Sequence, residues 1–356
     1  MFEPRHITLY VPCYNANATI EHCLDSLLKQ SIKVESIFLV DDGSTQQLPK
    51  LPVKVITHQE NKGLASARNT ALENCQTPLI GSVDSDVVAD ENWLEALLIR
   101  MNHGDVAGVA GRMDEYFKDD IGDRWRAKHM AQHWGAESKL NPRFLYGANS
   151  LMKTQELKTS GGFDIRCRTN NEDRTMCESF YGRGLNLAYE PEAKCSHLRE
   201  DSAKTILSSY WGWHHVKGLI EGDFDSLSGV ISRIHKVNFG IADYRYKLDL
   251  DNNKDFAVLD LLIPLVFAYK DLWLFSTRKN VGRPSLKPLV EYLDMDYDFV
   301  KEFIDESHCI DDIGDFAAYF EIFKSCCEEF MIKERLSKHN MKEWSKAHLD
   351  FAESKK

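Results

Sequence analysis

Asp84-Ser85-Asp86 places two carboxylates one residue apart, after the apolar run Pro78-Leu79-Ile80-Gly81-Ser82-Val83 and before Val87-Val88. The run reads as a buried strand, and an ionised carboxylate buried at its end without a partner is strongly disfavoured. Oxygen ligands of this kind suit a hard cation such as Mg²⁺ or Mn²⁺, which would also hold a diphosphate. Taken alone, the tripeptide reads more readily as a solvated turn, because Asp is a common turn residue. Further acids are spaced in a comparable way. Asp41-Asp42-Gly43-Ser44 closes a second apolar run, and Asn171-Glu172-Asp173 precedes a helical stretch running to about Tyr181.

These acids need elements to position them, and the first half of the chain alternates strand and helix patterns. Ile7 to Val11, Ser36 to Val40, Val53 to Thr57 and Val106 to Ala110 are β-rich runs. Asn17 is placed to cap a helix carrying Ile20, Leu24, Leu27 and Leu28 on one face. Further helices are expected from about Leu64 to Asn74 and from Glu91 to Met101. Such alternation implies an α/β fold with a doubly wound, mostly parallel, open sheet. Ligands of these sheets sit beyond the carboxyl ends of the strands, where both Asp pairs fall. Arg112 to Asn141, with Trp125 and Trp134, reads as a helix across the open edge. Ala193 to His197 reads as a last strand. The pattern then turns to long helical segments: Ile206 to Ile220, Phe256 to Phe275, Tyr297 to Ile304 and Phe316 to Leu336. The lysine-rich tail is expected to fray. The division expected is a sheet domain over 1–205 and a mainly helical region over 206–356.

The chain has 356 residues, 43% hydrophobic and 28% charged, enough for a large core plus an appendage in an ordinary globular protein. Its net charge of −11 argues against a nucleic-acid partner, for which a basic face supplies the affinity. The nine cysteines are odd in number and include no C-x-x-C pair, which fits reduced thiols and a cytoplasmic protein. No signal peptide is expected, since the chain enters a strand at once. The longest uncharged run in the most apolar segment, Leu261 to Tyr269, is far short of the roughly 20 residues of a spanning helix.

In chain order the informative residues are Pro12-x-Tyr14-Asn15, Asp41-Asp42-Gly43-Ser44, Asn61-x-Gly63-x-x-x-x-Arg68-Asn69, Asp84-x-Asp86, Gly161-Gly162-Phe163-Asp164 and Asn171-Glu172-Asp173. Over about residues 5–200 this set closely resembles the family 2 glycosyltransferases. The resemblance implies the nucleotide-sugar-binding GT-A fold and an inverting, metal-assisted transfer. The donor would be a nucleoside diphosphate sugar, most simply a UDP-sugar, and the acceptor a hydroxyl of a carbohydrate or glycoconjugate. Pro12, Tyr14 and Asn15 would then line the base site, with Asp41 or Asp42 accepting the imide proton. Arg68 would offer fixed donors to the diphosphate or to a carboxylate of the site. Asp86 would ligate Mn²⁺ or Mg²⁺, with Asp84 reaching the ribose or the metal's hydration shell and Ser85 beside them in the donor site. His197 would be a further metal or diphosphate contact. Asp173 would be the general base for the acceptor hydroxyl, with Glu172 as its support or a sugar contact.

Two other classes compete. A nucleotidyltransferase would carry a Gly-rich, Lys/Arg-bearing phosphate loop after the first strand, where this chain has Pro12-Cys13-Tyr14-Asn15-Ala16-Asn17. A non-catalytic carbohydrate-binding relict has no reason to keep the acid motif, Arg68 and Asp173 together. The chain lacks the Gln-x-x-Arg-Trp pattern of processive polymer synthases. His214-His215, beside Trp211 and Trp213, reads as a packing helix because adjacent helical positions point apart. The helical region is open to acceptor recognition, oligomerisation or docking at the inner face of a membrane. Amphipathic helices packed on the catalytic domain are the simplest reading. Donor sugar, acceptor and oligomeric state are not written in any motif.

Overall fold

The computed structural model describes residues 1–234 and, beyond them, isolated positions between 244 and 278. The expected segments Tyr297 to Ile304 and Phe316 to Leu336 and the lysine-rich tail lie outside the described residues, as does half of Phe256 to Phe275. The chain runs β1 (Ile7–Cys13), α1 (Ile20–Leu28), β2 (Ser36–Asp41), β3 (Lys54–Thr57), α2 (Leu64–Asn74), β4 (Leu79–Val83), β5 (Val87–Ala89), α3 (Trp93–Asn102) and β6 (Gly108–Glu115). It continues with α4 (Ile121–His129), β7 (Lys139–Leu140), β8 (Asn149–Lys153), α5 (Thr154–Thr159), α6 (Glu172–Gly182), β9 (Leu187–His197), α7 (Ala203–Glu221) and α8 (Leu227–Arg233). Two compact units form among the described residues, one from residues 1–119 and 126–200, the other from 120–125 and the described residues from Asp201 on.

In the first unit the strands lie in the order β3-β2-β1-β4-β8-β6-β9-β5, with β7 paired to β9. β3, β2, β1 and β4 are mutually parallel, and β6 is parallel to β9. The expected α/β, doubly wound, mostly parallel sheet is thus present. β1 is buried at every position, as a parallel strand covered on both faces must be, which is why it reads as a continuous apolar run. Ile20, Cys23, Leu24 and Leu27 form the buried stripe of α1. On α2 the buried face is Ala65, Ala67, Arg68, Ala71 and Leu72. Its small residues let the helix approach the sheet closely, and they set a guanidinium among them.

Three local expectations are corrected. Asn17 does not cap α1: the helix begins after Thr19, and Asn17 Nδ2 donates to the Gln47 carbonyl at 2.8 Å. Only residues 121–129 of the 112–141 stretch are α-helical, because the flanks belong to β6 and to β7. β8, antiparallel to both β4 and β6, had no counterpart in the alternation pattern.

A register shift between Gly111 and Arg112 interrupts the β6–β9 ladder. Asn149 fills it: Oδ1 accepts from Gly111 N–H and Trp93 Nε1, and Nδ2 donates to the Arg112 and Ala193 carbonyls. The backbone groups freed by the shift therefore keep partners, as buried polar groups must.

In the second unit, Ser202 Oγ caps α7 by accepting from Thr205 N–H, and Gly222 closes it at φ 81°. His215 stacks on Trp211 at 4.1 Å and His214 packs edge-on to Tyr210 at 4.6 Å. Among the described residues, no helix is long and apolar enough to cross a membrane.

Candidate active site

The site is built at the carboxyl ends of β1, β2 and β4, wholly within the first unit. Arg68, 1% exposed, occupies its centre. Its Nε donates to Glu172 Oε1 at 3.1 Å and its Nη2 to Asp84 Oδ1 at 2.9 Å. Nη1 reaches the Gly147 carbonyl at 3.3 Å, Tyr10 Oη at 3.4 Å and Ser82 Oγ. Burial works against the cation, but Asp84, Tyr10 and Glu172 hold it firmly charged. Every guanidinium nitrogen already has a protein partner, and of the two uses expected of Arg68, diphosphate or site carboxylate, the contacts present are the second. It is a strut between carboxylates, a use that a fixed fork of donors allows.

The two acids of the opening motif differ. Burial, opposed by Arg68 and reinforced by Asp86, pushes the Asp84 carboxyl up. Burial also acts on Asp86, yet its hydrogen bond to His197 holds it below the usual carboxylate range. Asp86 Oδ2 lies 3.3 Å from His197 Nε2, and Glu115 Oε2 lies 2.8 Å from His197 Nδ1. Burial opposes the imidazolium, but hydrogen bonds to Asp86 and Glu115 push its pKa up to about 9. The register makes this line inevitable: His197 pairs with Val87 on one side and with Glu115 on the other. A carboxylate beside an imidazole whose far nitrogen is held by a second carboxylate is the donor set that suits a divalent cation. Asp86, 36% exposed, is its open member. Ser85 sits in the turn between the two acids.

On the β1–β2 side, Tyr14 is 46% exposed, an open ring at the end of β1. Pro12 is buried within β1 opposite Val40 and presents no surface to a ligand. Asn15, at φ 53°, accepts through Oδ1 from Thr45 N–H at 2.9 Å and from Thr45 Oγ1 at 3.1 Å. It staples the two strand-end loops together. Asp42, 3% exposed, accepts from His58 Nδ1, Lys62 N–H and Gly63 N–H at 2.7–2.9 Å. It is therefore a loop anchor and not a base acceptor. Asp41 Oδ1 accepts from Ser44 N–H at 3.0 Å, while its Oδ2 has no hydrogen-bond partner among the described residues. Of the pair, only Asp41 keeps an oxygen for a ligand.

Gly63 caps the start of α2 at φ 97°, and a Cβ there would lie 2.8 Å from the Arg168 carbonyl oxygen. Glycine is required on both counts.

α6 opens with Glu172 and Asp173, after Asn171 in the left-handed region at φ 68°. Asp173 Oδ2 accepts from Gly147 N–H at 3.0 Å and Oδ1 from Arg174 N–H at 2.7 Å. Burial, opposed by these N–H groups and by Arg68, pushes its carboxyl up. Glu172 is 2% exposed and its Oε2 is buried without a hydrogen-bond partner. It reaches Arg68 and no open surface, so it is not itself placed to meet a substrate.

Sequence reasoning missed Tyr10, Ser82, Glu115 and Gly147. The only signal was positional: Glu115 closes a strand, as His197 does. A cleft of about 1180 Å³ also lies in this unit, lined by His22, Asp25, Lys29, Tyr116 and Phe117 among others. Its lining includes none of the site's acids, while Tyr116, Ser196 and Leu198 on its wall are chain neighbours of Glu115 and His197.

Residues 8–168 match the sequence model of glycosyl transferase family 2. A pre-mycofactocin glycosyltransferase of Mycobacterium tuberculosis is 29% identical over 206 residues, 54% of this chain and 43% of that protein. Glycosyltransferase GlyG of Streptococcus pneumoniae is 34% identical over 124 residues, 32% of this chain and 41% of that protein. The chain thus spans less than half the length of these curated relatives. A crystal structure of S. aureus TarS 1-349 aligns over 92% of this chain and 91% of that one, at 15% identity and a TM-score of 0.47.

Proposed function

The chain belongs, through residues 8–168, to glycosyl transferase family 2, and we propose on that premise that it transfers a sugar from a nucleoside diphosphate sugar to an acceptor hydroxyl. The observation that carries this reading is the Arg68 strut. It ties Asp84, in the strand-end acid pair, to Glu172, the neighbour of Asp173. One buried cation thereby fixes the donor-end carboxylates and the base relative to each other.

The tyrosine ring of Tyr14 offers a stacking face for the base, and Asp41 Oδ2 an acceptor for its imide N–H. Asp86 and His197 would hold Mn²⁺ or Mg²⁺, the imidazole favouring Mn²⁺, and such a cation when bound neutralises a departing diphosphate. Glu115 fixes the His197 ring so that Nε2 faces Asp86. Asp173, its carboxyl oriented by Gly147 N–H, takes the proton from the acceptor hydroxyl as that oxygen attacks the anomeric carbon. The stereochemistry proposed is inversion, as the resemblance to the family implies, for which one general base suffices. A UDP-sugar donor, a carbohydrate or glycoconjugate acceptor and a cytoplasmic setting belong to the same proposal. So does a catalytic domain over 1–205 with a helical region over 206–356 serving the acceptor, an oligomer or a membrane face.

The test is release of nucleoside diphosphate from a panel of UDP- and GDP-sugars, with Mn²⁺ and with EDTA. The reading expects release from one donor, stopped by EDTA and by Asp86→Ala. Pyrophosphate release from a nucleoside triphosphate and a sugar phosphate, with no diphosphate released from any sugar nucleotide, overturns it.

A further inference from the structure

We propose that Trp134, Phe144 and Tyr146 form a platform on which the ring of an acceptor pyranose stacks, immediately beside Asp173; this rests on the glycosyl-transfer reading above. The three rings make one cluster. Trp134 and Phe144 are 5.3 Å apart, Phe144 and Tyr146 4.9 Å, and Trp134 and Tyr146 6.0 Å with ring planes 33° apart. All three are only partly buried, unlike the rings of Trp93 and Trp125 in the same chain. Their polar handles are already spent on backbone: Trp134 Nε1 donates to the Phe144 carbonyl at 2.8 Å, and Tyr146 Oη to the Ala131 carbonyl at 3.1 Å. What the cluster has left to offer a ligand is apolar ring surface.

The cluster is joined to the base by one peptide unit. Tyr146 precedes Gly147, whose N–H holds Asp173 Oδ2 at 3.0 Å. The Asp173 charge also bears on the Tyr146 hydroxyl. A sugar lying on these rings would therefore bring a hydroxyl to the carboxylate that must deprotonate it.

The segment is pinned before any ligand arrives. Gln132 bridges to Met113, Tyr189 Oη donates to the Gly135 carbonyl at 2.8 Å, and β7 pairs with β9. The Met113–Gln132 bridge brings His133 alongside the Arg112–Asp114 ion pair, and both charges act on its imidazole. An aromatic floor with a polar rim is how a site takes a pyranose: the C–H face packs on the rings and the hydroxyls meet the rim.

The test is saturation-transfer NMR with three probes, the methyl β-glycosides of glucose, galactose and N-acetylglucosamine. The full chain is used with Mn²⁺ and either UDP or GDP, and nucleotide binding is measured separately by calorimetry. The proposal expects saturation of ring C–H protons of at least one glycoside. Trp134→Ala weakens it about fivefold or more, Trp134→Phe retains most of it, and nucleotide affinity is unchanged in both. If Trp134→Ala fails to fold, Phe144→Leu serves in its place. Equal saturation in wild type and variant, or none with any glycoside while nucleotide binds, overturns the platform. Absence of nucleotide binding in the wild type would instead sink the glycosyl-transfer reading.

Discussion

Arg68 Nη2 holds Asp84 Oδ1 at 2.9 Å inside the sheet domain, and its Nε is committed at the same time to Glu172. Two acids 88 residues apart (172 − 84) are thereby clamped to one side chain that has almost no exposure to solvent. A lysine keeps the charge but cannot serve Asp84, Ser82 and Glu172 together. Arg68→Lys is therefore expected to destabilise the domain by about 3 kcal/mol, the scale for leaving buried charges unpaired. Urea unfolding followed by tryptophan fluorescence measures it, and an unshifted midpoint would mean that the clamp contributes nothing.

Asp173→Asn retains a carbonyl oxygen for Gly147 N–H but cannot accept a proton at neutral pH. Turnover is expected to drop by about 10²–10⁴, the usual contribution of a positioned base. Nucleotide affinity stays within twofold, since Asp173 lies at the head of α6 and not on the β1–β2 side. Transfer rates at saturating donor, with calorimetry for the nucleotide, check both halves. Intact turnover would remove Asp173 from the role of base.

The parallel strands and the α2 boundaries were legible because a strand buried on both faces must be apolar, and because caps and periodicity are local. The antiparallel β8 was not, since strand direction is set by where the chain returns and leaves no mark in the residues Asn149 to Lys153. The same divide runs through the site. Asp84, Asp86, Asp173 and His197 could be found by type and by position at element ends. That Asp42 anchors a loop while Asp41 stays open depends on which backbone N–H groups the 61–63 loop delivers. Adjacent identical residues cannot reveal that. Arg68 was recognised, but its partners were not, because they come from β1, β4, α6 and the Gly147 turn.

Glu115 touches His197 and no open surface, so its removal isolates the orienting step. Glu115→Gln is expected to weaken Mn²⁺ binding about 10- to 100-fold, the range for losing a partner that aims a metal-binding histidine. Paramagnetic-resonance titration of free Mn²⁺ reads this directly, without any donor sugar. Unchanged Mn²⁺ affinity in that variant would detach His197 from the metal.

Glu172 makes the domain's stability depend on pH in a definite direction. Burial, reinforced by the Asp173 charge and opposed by Arg68, raises its pKa from an ordinary 4.5 to about 8. Between these values the folded chain holds a proton that the unfolded chain has lost, so stability falls as pH rises. The stabilisation is fully present below about 4.5 and gone once pH passes about 8. His197, raised to about 9 from 6.5, adds a decline of the same sign at the upper end of this window. Glu172→Gln keeps an oxygen for Arg68 Nε and removes only the titration, leaving the His197 contribution in both proteins. The difference between the two Tm curves therefore reports Glu172 together with the Asp173 carboxyl coupled to it. It is expected to move in favour of the variant from pH 4.5 to 8 and to level off above. Parallel curves across that range would mean that Glu172 is ionised throughout, with Arg68 outweighing its burial.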